Sequence, residues 1–173
     1  MKKSLFIVPQ IGFNEIELFA IKKILEKSKI KCTIASFSKG RVIGKHEKIA
    51  NATEIIKKIN YADYDCFIFV GGENASSLSE YQCVLDLLKN ANKLNKLIAL
   101  LCMHPAIFLP SLPFLKNKKM TVFKSKNNWS VGIIKKEAVY VDESVVIDGN
   151  ILTCRGEEDA KQLAEKIVKL LNK

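Results

Sequence analysis

Leu97-Ile98-Ala99-Leu100-Leu101-Cys102-Met103-His104-Pro105 decides how this chain folds. Five consecutive apolar residues with no polar alternation read as a strand covered by helices on both faces, the habit of a parallel sheet. Pro105 then marks an abrupt turn out of the strand toward a helix start. A cysteine at such an elbow faces free backbone N–H groups and the positive end of a helix. Both favour thiolate over thiol and predict a nucleophilic, oxidisable sulfur. Free cysteine is also a common core residue, and position alone leaves that reading open.

Upstream, Cys66-Phe67-Ile68-Phe69-Val70 is a second continuous apolar run, turned out of the sheet by Gly71-Gly72. Between the two runs, Ser79 to Ala91 carries Tyr81, Val84, Leu85, Leu87 and Leu88 at helical spacing. Further back, Ser4 to Pro9 reads as a first strand and Glu15 to Ser28 as a helix. Lys31 to Phe37 is another strand, with a short strand or hairpin around Arg41 to Ile43 and a short helix from Glu54 to Ile59 capped by Thr53.

Past the elbow, Pro110 and Pro113 limit helix length. Short strands are predicted at Met120 to Phe123, Val139 to Asp142, Val145 to Ile147 and Ile151 to Cys154, the last two joined by the Asp148-Gly149-Asn150 turn. Glu158 to Asn172 then forms an amphipathic helix. This order predicts a flavodoxin-like three-layer α/β/α sandwich with a mainly parallel sheet, one domain over residues 1–173.

Composition narrows the function classes. With 173 residues, 48% of them apolar and 27% charged, the chain has the make-up of an ordinary globular protein. No apolar run approaches the ~18 residues that span a bilayer, and the N-terminal stretch is too short for a signal h-region. The net charge of +10 comes almost wholly from lysine, with Arg41 and Arg155 the only arginines. The fork-shaped donors used to read bases and clamp phosphates are thus scarce, and nucleic acid is not the expected partner. Five cysteines without a Cys-x-x-Cys pair suggest reduced thiols in a cytoplasm. His46 and His104 share no zinc spacing with them, so no metal and no cofactor are expected.

Ligands of open parallel sheets bind beyond the carboxyl ends of the strands, which here hold Gly12 to Glu17, Gly71-Gly72 and Cys102 to Pro105. Gly71 and Gly72 let the chain approach a ligand closely, although an ordinary strand-ending turn needs no ligand. An acid in a first helical turn is usually a solvated dipole partner, which leaves Glu15 and Glu17 open on position alone.

Ala99-Leu100-Leu101-Cys102-Met103-His104-Pro105 resembles the A-I-C-x-G-P elbow of the ThiJ/PfpI superfamily. Gly12-Phe13-Asn14-Glu15-Ile16-Glu17 is similar to that group's acidic segment, Phe69-Val70-Gly71-Gly72 to its P-G-G turn, and Asp148 to Gly156 to its D-G-x-x-x-T-S-R-G strand. The resemblance implies Cys102 as nucleophile with Glu17 as its proton-bearing partner. It also implies an oxyanion hole from the Gly72 and Met103 N–H groups, with Gly71 and Arg155 at the binding site. His104 occupies the glycine slot of the elbow and is a candidate general base, while Phe123 stands where related proteins carry a histidine. The implied activity is glyoxalase- or deglycase-like, on small reactive carbonyls, as a homodimer. The alternative is a redox-responsive, stress-protective protein or chaperone whose Cys102 meets an oxidant without turnover.

Overall fold

A computed structural model describes residues 1–173. In chain order it contains β1 (Lys3–Ile7), β2 (Ile11–Phe13), α1 (Glu15–Lys27), β3 (Lys31–Ser36), β4 (Gly40–Gly44), β5 (Ile49–Ala52), β6 (Glu54–Ile55) and β7 (Cys66–Phe69). There follow α2 (Gln82–Lys93), β8 (Leu97–Leu101), α3 (His104–Phe108), β9 (Lys119–Met120), α4 (Trp129–Glu137), β10 (Val139–Tyr140), β11 (Val145–Asp148), β12 (Ile151–Cys154) and α5 (Ala160–Leu171). Seven strands build one sheet in the order β11-β12-β8-β7-β1-β3-β6. Every neighbouring pair is parallel except β11 with β12.

The uninterrupted apolar runs have a direct cause, because both faces of the sheet are covered. Phe6, Val8, Ile68, Val70, Ala99, Leu101, Leu152 and Cys154 face one core with Leu18, Ile21 and Leu25 of α1 and Leu163 and Ile167 of α5. The alternate residues Leu5, Ile7, Phe67, Phe69, Ile98 and Leu100 face the other core with Val84 and Leu88 of α2, Phe108 of α3 and Ile134 of α4. This is the α/β/α sandwich expected from the sequence. Two small sheets lie outside it: β2-β4-β5, which overhangs the carboxyl ends of the central strands through the Phe13–Gly72 bridge, and β9-β10.

Two local expectations are corrected, and one helix is added. Glu54 to Ile59 is a two-residue edge strand followed by a single 3₁₀ turn at Ile56–Lys58, and no side chain caps that turn. The parallel pairing of Ala35 and Ser36 with Glu54 and Ile55 outweighs the helical pattern. The strand foreseen at Met120 to Phe123 is confined to Lys119–Met120, because the Phe123 N–H turns away to the Cys102 carbonyl. Helix α4 carries no clear sequence signal: Gly132 weakens it, and it starts beyond Asn127 and Asn128, both in the left-handed region.

Helix α1 carries the acidic segment, so its seating matters most for the site. Asn14 caps it by accepting hydrogen bonds from the N–H groups of Ile16 and Glu17. Leu18, fully buried in the same core as Leu101, is expected to lower unfolding free energy by about 2–5 kcal/mol when changed to Ala. Phe19→Ala, on the exposed side of the helix, should lower it by less than about 1 kcal/mol in the same urea titration.

Candidate active site

At the end of β8 the chain leaves the sheet through Cys102, whose φ of 57° puts a non-glycine residue in the left-handed region. That conformation costs about 1–2 kcal/mol. It is held from three sides. The Cys102 N–H donates to the Cys154 carbonyl at 2.9 Å, the Cys102 carbonyl accepts from the Phe123 N–H at 3.0 Å, and α3 starts two residues later. The strained turn lifts the side chain out of the strand, where it is partly buried and where the N–H groups of Gly72 and Met103 are near enough to favour a negative sulfur. These two amides are the ones that the resemblance implies for an oxyanion hole.

Glu17 reaches the same place from α1. Its side chain has no exposed surface; Oε2 accepts from the Gly71 N–H at 2.7 Å, and Oε1 has no partner. Gly71 separates the carboxylate from the cysteine. A Cβ on it would lie 2.5 Å from the Cys102 Cβ and 3.0 Å from Glu17 Oε2, so only glycine fits. Gly72, at φ +134°, is wedged against the backbone of Gly12, Phe13 and Asn14 and is equally irreplaceable. Glu15 diverges from Glu17: it accepts from the His46 N–H at 2.8 Å and lies under Gly44, tying the β4–β5 turn to α1.

The electrostatics differ from the sequence expectation. Burial raises the Glu17 carboxyl to about 7, against the opposing pull of the Gly71 hydrogen bond and of Lys45. Burial, followed by the negative charge of Glu17, pushes the Cys102 thiol up to about 12. The amides of Met103 and Gly72 and the Lys45 ammonium pull the other way and lose. The five-residue α3 is too short to supply the dipole assumed for a helix start. Above about pH 7 the pair therefore holds one proton, which rests on the thiol in preference to the carboxylate.

His104 does not join them. Its ring is fully buried on the opposite face of the sheet, stacked on Phe108 and edge-on to Phe69, with the Nε2–H donating to the Val70 carbonyl at 3.0 Å. Burial lowers its pKa to about 4, and Nδ1 is unpartnered. The residue after an elbow step points back into the core, so a histidine two positions beyond Cys102 belongs to the packing and not to a base facing the sulfur.

Cys102 and Glu17 line a cleft of about 840 Å³ whose mouth carries Phe123, Lys124 and Arg155. Arg155 is turned to Asp142, with its backbone N–H on Ser144. Lys45 and Glu157 also line the cleft and escaped the sequence reading. Their ion pair measures 2.9 Å, and Asn14 donates to the same Glu157 oxygen at 2.9 Å. The Lys45 and then the Asn14 hydrogen bonds hold Glu157 below the usual carboxylate range. For Lys45, burial acts against its charge, but Glu157, Glu17 and Glu15 together raise its pKa. A lysine just past a turn glycine gives little sequence signal; Glu157 is detectable only as a departure from the R-G-P-G pattern. No group of three His, Cys, Asp or Glu side chains is arranged to hold a metal ion.

Comparison with known proteins agrees with this fold. The model of the DJ-1/PfpI family matches residues 2–170. Protein dj-1beta of Drosophila melanogaster is 28% identical, over 99% of this chain and 90% of its own. A deglycase of Pyrococcus horikoshii is 25% identical, over 98% of this chain and 99% of its own. The crystal structure of a ThiJ/PfpI domain protein from Brachyspira murdochii superposes with a TM-score of 0.89 at 24% identity, covering 98% of this chain and 96% of that one.

The raised Glu17 pKa has a defined sign for stability. The folded state holds this proton more tightly than the unfolded chain, so stability is greatest below the ordinary value of 4.5 and falls until pH is above about 7. Glu17→Gln removes that loss. Relative to wild type, the variant should gain up to about 3 kcal/mol between pH 4 and pH 8, read as a growing difference in urea midpoint. A difference independent of pH would show that Glu17 titrates normally.

Proposed function

The chain belongs to the DJ-1/PfpI family, and from that premise we propose that it is a cysteine-dependent enzyme acting on small reactive carbonyls, glyoxalase- or deglycase-like in reaction. The observation that carries the proposal is the buried Glu17 carboxyl, one oxygen unpartnered, held beside a sulfur that faces two backbone amides. Deglycase is the name of the Pyrococcus horikoshii relative.

In this reading a 2-oxoaldehyde enters the cleft and the sulfur of Cys102 bonds to the aldehyde carbon. Sulfur attacks in the form of the pair whose single proton sits on Glu17, because the thiolate and not the thiol is the nucleophile. The carbonyl oxygen takes up that charge in front of the Gly72 and Met103 N–H groups. It is protonated from Glu17, giving the hemithioacetal. The Glu17 carboxylate then takes the proton from the former aldehyde carbon and returns it to the neighbouring carbon, while the hydroxyl proton passes to the neighbouring oxygen, forming the thioester of a 2-hydroxy acid. Water cleaves that ester, frees the thiol and releases the acid. Glu17 is the group that carries every proton, since His104 is buried elsewhere and Phe123 stands at the mouth.

A second reading, a redox-responsive stress-protective protein whose Cys102 is oxidised without turnover, is favoured by the absence of any imidazole among the residues that line the cleft. The unpaired state of all five cysteines supports a reducing, cytoplasmic setting for both readings. Homodimerisation is supported by exposed apolar residues, Ile11 and Ile49 in line across the small sheet and Ile16 and Phe19 on α1.

With methylglyoxal as substrate, Cys102→Ser is expected to lower the rate of lactate formation at least 100-fold. Unchanged lactate formation in that variant would end the carbonyl reading. In the wild type kcat/KM should rise with pH to a plateau, half-maximal near the Glu17 value of about 7, as the pair loses its first proton. Glu17→Gln should abolish that inflection along with most of the activity. Sedimentation equilibrium should give twice the monomer mass for the wild type, and Ile49→Asp should shift it toward monomer.

A further inference from the structure

We infer that Cys154 is a resolving thiol for Cys102, so that oxidant reaching the cleft closes a Cys102–Cys154 disulfide before the sulfur is driven on to sulfinate. The inference rests on Cys102 being the reactive sulfur and is independent of the carbonyl chemistry.

Cys154 ends β12, the neighbour of β8, in parallel register with Leu101. Its carbonyl accepts from the Cys102 N–H, so the two residues are joined backbone to backbone. Adjacent strands lie about 5 Å apart where Leu101 meets Cys154, and the 2.9 Å hydrogen bond keeps Cys102, one residue on, near the roughly 4.4–6.8 Å of Cα separation that a disulfide bridges. Strand alternation sends the Cys154 side chain into the same core as Leu101, and Cys102 packs against that core too. Burial foremost, with the negative charges of Glu17 and of an ionised Cys102 adding to it, pushes the Cys154 thiol up to about 12, so both groups lie within electrostatic reach of it.

Access separates the two sulfurs. Cys102 lines the cleft and meets an oxidant, whereas Cys154 is fully buried behind it. The Cys154 thiol is held only by a long 3.6 Å contact to the Gly156 carbonyl, an easily surrendered restraint. Glu17 Oε1, buried and unpartnered, is directed at the same place, 3.8 Å from where a Gly156 Cβ would sit. It offers the proton acceptor that a buried thiol needs before it can attack.

The chemistry closes with a peroxide as oxidant. The Cys102 sulfur attacks one peroxide oxygen; an S–O bond forms, the O–O bond breaks, and the departing oxygen leaves as water. Sulfur loses two electrons and the peroxide gains them. The Cys154 sulfur then attacks the Cys102 sulfur while its proton passes through Glu17 to the leaving hydroxide. The S–S bond forms, the S–O bond breaks and a second water leaves. A dithiol reductant restores both thiols.

The decisive measurement is a peptide map of the full-length, fully reduced wild-type protein after mild hydrogen peroxide and alkylation of the remaining thiols. The expected result is a mass loss of about 2 Da, a peptide linking Cys102 to Cys154, and its disappearance with dithiothreitol. Cys154→Ser keeps a donor for the Gly156 carbonyl. It should form no link and should accumulate Cys102 sulfinate, a gain of about 32 Da, several-fold faster than wild type.

If wild type forms sulfinate on Cys102 without the link, the resolving role is overturned while the reactivity of Cys102 stands. If Cys102 is not oxidised at all, both are overturned. A link from Cys102 to Cys32, Cys66 or Cys83 likewise overturns the assignment. The wild-type map alone decides the matter even where the Cys154 variant folds poorly.

Discussion

Between the carboxylate of Glu17 and the Cβ of Cys102 there is room for a backbone and nothing more, since one added carbon on Gly71 would stand 2.5 Å from the cysteine and 3.0 Å from the acid. That contact fixes three elements at once. It sets how far α1 slides toward the sheet, where the strand before Gly71 must stop, and how the elbow after β8 turns. The Asn14 N–H on the Gly71 carbonyl, at 2.7 Å, locks the same glycine from the other side. The site is thus built mainly from main chain, and main chain in rigid register is what keeps the amides of Gly72 and Met103 aimed at one point.

Tight packing also decides the electrostatics, in the direction opposite to that suggested by an elbow read in isolation. Amide dipoles and Lys45 favour a negative sulfur, but the closeness that lets them act also strips the sulfur of water and sets a second acid beside it. Burial is the larger effect for both groups. A sequence shows which groups converge; it does not show how much solvent they lose on converging.

That difference runs through the whole comparison of sequence and structure. The two five-residue apolar runs before Gly71 and Cys102 could be read as central strands because doubly covered strands lose their alternation. The helices α1 and α5 followed from their periodicity. Glu54 and Ile55 were misread because two residues carry no period, and their state is settled by pairing with Ala35 and Ser36. At the site, Cys102, Glu17, Gly71, Gly72 and Met103 were legible because each sits at a strand end or in a motif. Lys45 and Glu157 were not, since they meet across 112 positions of sequence. The direction of His104 depended on one backbone turn, the φ of 57° at Cys102, which residue types do not encode unless glycine is present.

An acid and a thiol confined in one desolvated pocket behave as a single titrating unit, because placing two negative charges there costs far more than placing one. From the first proton loss near pH 7 to the second near pH 12, the pair carries one charge that either atom can bear. A nucleophilic sulfur at neutral pH therefore needs no depressed pKa, only transfer of a proton across the space beside Gly71. The charge count inside the cleft is unchanged by that transfer, and is unchanged again when an electrophile draws the charge onto an oxygen in front of the two amides. Burial keeps the proton on sulfur at rest and makes its transfer to Glu17 an uphill step, so the property that holds the resting thiol neutral also confines its chemistry to partners that fit between Glu17 and the Gly72 and Met103 N–H groups.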